Sequence, residues 1–144
     1  MSYDLLTFAS IGDFMEYIDG QITQLKTKID TLERRYVVLK SKAERIRRLE
    51  EVLSKLIGSQ VKSISEVDFL GIKVVVSARA LDELTVVEET LAALRDTYTA
   101  LTRVREAISR FANEIKGEKG EINVIVQTLN GIPVKLLFKE SETP

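Results

Sequence analysis

Residues 34–48 read RRYVVLKSKAERIRR, and seven of these side chains are basic. Arg34, Arg35, Lys40, Lys42, Arg45, Arg47 and Arg48, with Glu44 the one acid, give a local net of +6 in a chain whose total is −1. Binding of phosphates is the chemistry open to such a run. Spread over ~21 Å of helix, these cations could displace counterions from a nucleic-acid backbone, with an affinity that falls steeply as salt rises. All seven are therefore candidate nucleic-acid contacts. Tyr36 is the one aromatic residue among them, so no stacking platform for bases accompanies the charge.

Catalytic chemistry has less to work with. Histidine and cysteine are absent, which removes imidazole bases, thiolate nucleophiles and thiolate metal sites. The carboxylate pairs Glu50-Glu51 and Glu88-Glu89 are adjacent in sequence. Neighbours on a helix diverge by ~100°, so neither pair forms an acid–base dyad by itself. The GEKG at 117–120 matches a G-x-x-G loop formally, but it joins a helix to a strand and reads as a cap and turn. No phosphate-binding loop, dinucleotide fingerprint or nucleophile elbow is present. The expectation is a non-enzymatic protein with no cofactor and no metal.

The basic run must be positioned by the helix that carries it. Apolar residues fall at Met15, Ile22, Ile29, Tyr36 and Ala43 in one heptad position and at Ile18, Leu25, Leu32, Leu39 and Ile46 in the other. A repeat of 3.5 residues holds one narrow stripe against a partner helix, as in a coiled coil. Two three-residue steps around Leu49 overwind the pattern locally. Ser10 with Asp13 gives a helix start and Gly58 a stop. This predicts a helix over about 11–57.

A second helix is predicted over about 80–116. Leu84, Val87, Leu91, Leu94, Tyr98 and Leu101 repeat the same rhythm, which continues through Ile108. Beyond Leu101 the stripe runs through Val104 and Phe111 in preference to Arg105 and Ala112, because arginine in a narrow seam is costly to desolvate. The seam residues expected to zip helices together are Ile18, Ile22, Leu25, Ile29, Leu32, Tyr36, Leu39 and Ile46 with Leu84, Leu91, Leu94, Tyr98, Leu101 and Ile108.

Between the helices, β-branched density at about 68–78 predicts a strand. The sequence INVIVQTLNGIPVKLLF then places Asn130-Gly131 between two apolar runs, the signature of a β-hairpin over about 121–139. In a simple two-residue hairpin Ile125 would face Leu136 and Asn123 would face Phe138. Pro133 lacks an N–H and blunts the outer edge of the last strand, so further pairing should fall on the outer edge of 121–129. Two arrangements could supply it. Strand 69–78 of one chain could complete the hairpin of another, or a kink within 95–104 could bring strand and hairpin together in one chain.

The fold class is therefore α+β, two long coiled-coil-type helices with a strand between them and a C-terminal hairpin, in a single elongated unit over 1–144 with a short tail at 140–144. An apolar share of 44% excludes wholesale disorder. No apolar run approaches the ~18 residues needed to span a membrane. The start MSYDLLTFAS has no basic region before an apolar run, so no signal peptide or lipid anchor is expected. Lack of cysteine suits a cytoplasmic location.

On this heptad the basic residues surround the seam. In a parallel in-register homodimer Arg35 would meet Lys40 and Lys42 would meet Arg47, which disfavours that pairing. The second helix supplies Asp82, Glu83, Glu88, Glu89 and Asp96, so the basic half of the first helix suits the acidic half of the second. Val37 and Val38, apolar outside the seam, call for a third neighbour. The order long helix, short β-segment, long helix over 11–116 resembles a prefoldin subunit, which implies a client-holding chaperone; the hairpin at 121–139 departs from that plan. The leading expectation is a scaffold or adaptor that self-associates, with a dimer favoured, and binds an unidentified protein partner. Nucleic-acid binding through 34–48 is the alternative.

Overall fold

The computed structural model describes residues 2–57, 65–76, 80–115 and 122–140. In chain order they form β1 (Tyr3–Phe8), α1 (Ile11–Ile57), β2 (Ser65–Phe69), β3 (Ile72–Val76), α2 (Ala80–Glu114), β4 (Ile122–Leu129) and β5 (Ile132–Glu140). Two long helices and a C-terminal hairpin make the α+β class. The expected stops Gly58 and Gly117, the GEKG loop, residues 77–78 and the tail at 141–144 lie outside the described residues.

The start of α1 is held as its sequence requires. Ser10 Oγ accepts the backbone N–H of Asp13 at 3.1 Å, and the Phe14 N–H reaches the Ser10 carbonyl at 3.3 Å. The first satisfies a donor that a helix start leaves without a partner, and the second is the first turn's own backbone bond. The Asp13 carboxylate also sits in the positive first turn.

The expected single strand at 68–78 is two strands. β2 and β3 pair antiparallel from Ser65↔Val76 to Phe69↔Ile72. Their turn is Leu70-Gly71, with φ of 50° and 83°. A tight hairpin needs positive φ at both central residues, and leucine is an unusual residue there, so composition did not announce the turn.

β1 is also new. It pairs antiparallel with β4 from Tyr3↔Leu129 to Phe8↔Val124, giving a sheet of order β1-β4-β5. Asn130 ties the arrangement together. Its positive φ of 50° makes the β4–β5 turn, its side chain accepts the Ser2 N–H at 3.0 Å, and its own N–H donates to the Ser2 carbonyl at 2.8 Å. Further pairing thus falls on the outer edge of β4, as Pro133 implies. The strand that takes this edge is β1, so segment 69–78 does not complete another chain's hairpin there. Nor is there a break at 95–104, because α2 runs as one helix through those residues.

The hairpin register needs a further correction. Leu129 faces Ile132 and Thr128 faces Pro133, but beyond them Val126 faces Leu136 and Val124 faces Phe138, after a shift at Gln127/Thr128. One extra residue on β5, Val134, turns the rest of that strand over. Val124, Val126 and Thr128 consequently share the inner face with Leu136 and Phe138, and the outer face takes Ile125 and Leu137.

The chain divides into two compact units, one of residues 1–28 with 94–144 and one of residues 29–93. In the first, Phe14 and Ile18 of α1, Leu101 and Ile108 of α2, and Val124 and Val126 of β4 form a buried cluster. Leu6, Phe8, Met15 and Leu136 pack on its margin. The second holds the remaining helical segments and the β2–β3 hairpin. The prefoldin-like order of helix, β-element and helix is present in the chain, and the three-stranded sheet lies outside that plan.

Candidate interaction surface

The seam residues divide by depth. In the first unit Ile18, Leu101 and Ile108 are buried, and Ile22, Leu25, Leu94 and Tyr98 are half-buried. In the second, Ile29, Leu39 and Leu91 are buried beside Ala43 and Val87, and Leu32, Tyr36, Ile46 and Leu84 are half-buried. Leu49 is 63% exposed, so the overwound step carries its side chain out of the stripe. Phe14, which the heptad leaves beside the seam, is fully buried and sits 5.2 Å from the Phe8 ring.

Near the end of α2 the two competing continuations share the work. Val104 packs on the core, while Phe111 is 42% exposed and stacks on Phe138 at 4.7 Å. Arg105 stays half-exposed and donates from Nε to Asp19 Oδ1 at 2.8 Å. That hydrogen bond, then the Asp19 charge, raises the Arg105 pKa above arginine's ordinary value.

All seven candidate nucleic-acid contacts, Arg34, Arg35, Lys40, Lys42, Arg45, Arg47 and Arg48, are exposed. Arg35 donates to Glu83 on α2 at 3.3 Å, which sets the basic part of α1 beside the acidic part of α2 within this unit. Arg34 and Arg48 turn back to the carbonyls of Asp30 and Glu44, and Lys40 lies 5.9 Å above the Tyr36 ring. Exposed ion pairs like Arg35–Glu83 orient helices more than they stabilise them.

Apolar side chains lie among these charges. Val37, Val38, Leu49 and Val52 of α1 are all more than half exposed. At 3.6 residues per turn, Val38, Lys42, Arg45, Leu49 and Val52 line one stripe along the flank of the seam. On α2, Asp82, Val86, Glu89 and Ala93 line a corresponding stripe, with Val86 61% exposed. A groove of 280 Å³ runs beside it, lined by Leu32, Arg35, Glu83, Val86, Val87 and Thr90 among others. The sheet's outer face adds Tyr3, Leu5 and Leu137, also exposed.

Among the described residues no group of three or more Asp or Glu is placed to hold a metal ion, and no helix is long and apolar enough to cross a membrane. Glu88 and Glu89 are both exposed, and the side chain of Glu50 lies outside the described residues. Of the stripe on α1, only Val38 stood out in the sequence, as a misfit with the heptad beside Val37, while Leu49 read as a step of the seam. The counterpart on α2 escaped attention because alanine and a lone valine among acids carry little hydrophobic signal. Compared with known proteins, the chain matches no family model, no curated protein and no solved structure.

Proposed function

We propose that this protein is a non-enzymatic scaffold or adaptor that works by self-association. The observation that carries the reading is the row Val38, Leu49 and Val52, large apolar side chains left in water along a helix whose other side is already buried. Scattered apolar residues on a surface need no explanation, but an aligned row rimmed by charge marks a contact face. Burial of the row removes apolar area from water at about 25 cal/mol per Å². The arginines and lysines beside it set orientation and partner choice.

A second reading is favoured by the exposure of all seven basic side chains of residues 34–48. They could grip a phosphate backbone without using the apolar row. One sedimentation experiment separates the two. The protein alone at micromolar concentration is expected to sediment as a dimer or larger, and adding a short DNA duplex at low salt should leave its boundary unmoved. A monomer that shifts with the duplex would replace the first reading by the second.

A further inference from the structure

We propose that the basic–apolar stripe of α1 is covered by the acidic–apolar stripe of α2 from a second copy of this chain. The inference rests on the self-association reading and names the two faces that meet. On α1 the stripe is Val38, Lys42, Arg45, Leu49 and Val52; on α2 it is Asp82, Val86, Glu89 and Ala93. Each interleaves apolar residues with one sign of charge at helical spacing, and the signs are opposite.

The α1 stripe is exposed and so is most of the α2 stripe; Asp82 is half-buried and lines the groove beside Arg35. Lys42, Arg45, Glu89 and Ala93 are exposed, as are Val38, Leu49, Val52 and Val86. A second copy's α1 stripe is the wrong occupant, because it would set Lys42 and Arg45 against like charges. The α2 stripe presents carboxylates to those cations and Val86 and Ala93 to the valines and leucine. Ala93 also lets the two helices approach closely. Within one chain, Arg35 and Glu83 already make this kind of contact at 3.3 Å, so the same two helical segments attract each other, and the exposed members of each stripe remain for a neighbour.

The contact joins one face of a copy to a different face of the next. Such heterologous contacts close into rings or extend as chains unless a two-fold pair satisfies both at once. The stripes are short, some four turns on α1 and three on α2, so several weak contacts in series are expected in place of one large interface.

Charge exchange tests the pairing. One variant carries Lys42→Glu with Arg45→Glu, the other Asp82→Lys with Glu89→Lys, and circular dichroism melts establish that both fold. Each alone should assemble at least about tenfold more weakly than the parent by sedimentation, because every contact then sets like charges together. Mixed in equal amounts they should recover parental assembly, since each altered face meets its complement. Folded variants that assemble like the parent, or a mixture no better than its components, would overturn the assignment of faces while leaving self-association intact. A parent that stays monomeric would remove self-association itself.

Discussion

Phe14 shows how a single side chain can matter more to the fold than the pattern around it. It is fully buried between β1 and the helical core, in ring contact with Phe8. A heptad reading ranks Met15 above it, because the repeat describes packing between two helices and is blind to a sheet on the third side. Phe14→Ala is expected to cost about 3–5 kcal/mol, the range for truncating a large core aromatic, with the midpoint of a urea titration as the readout. A loss below about 1 kcal/mol would mean that the sheet does not close over this residue. The Arg105–Asp19 bond makes the opposite case. Its raised arginine pKa contributes stability that is fully present below arginine's ordinary value and lost only as pH climbs through the higher folded value. Across neutral pH the arginine therefore contributes no pH dependence, and Asp19 anchors α1 to α2 by direction more than by strength.

At the scale of elements, legibility followed how much of the signal was local. The helix over 11–57 was readable to its ends, since a four-three rhythm that is regular as far as Ile46, a Ser10 cap and a following glycine agree. The Asn130-Gly131 turn was readable because few residues other than asparagine and glycine adopt its backbone angles easily. The bulge at Val134 was not, since one inserted residue leaves no mark in composition yet moves Leu136 and Phe138 to the inner face. β1 was illegible for a different reason: a six-residue strand has meaning only once an edge of β4 is there to receive it. The turn at Leu70-Gly71 carries its own prediction. Leu70 is 88% exposed and holds φ at 50°, so its side chain gains nothing from burial and incurs left-handed strain. Leu70→Asn should stabilise the protein by about 0.5–1 kcal/mol, because asparagine visits that region at lower cost. An unchanged or lower thermal midpoint would argue that leucine is retained there for a contact made outside this chain.

At the scale of the whole molecule the decisive property is segregation of charge within a nearly neutral chain. A net of −1 conceals seven basic residues within 34–48 and the acids Asp82, Glu83, Glu88 and Glu89 near the start of α2. In the proposed assembly, copies repel one another weakly on average and attract in selected orientations. Assembly should therefore weaken as salt is raised, because the screening length falls from about 10 Å at 0.1 M to about 3 Å at 1 M. It should not vanish, since Val38, Leu49, Val52 and Val86, exposed in the single chain, would be buried on assembly by a force that salt does not screen. Sedimentation of the protein alone across that range is expected to show a falling but finite association constant. Assembly that strengthens steadily with salt would mean the apolar rows join without the charges, and would shift attention to the outer face of the sheet at Tyr3, Leu5 and Leu137, which lacks the acidic complement that the helices provide.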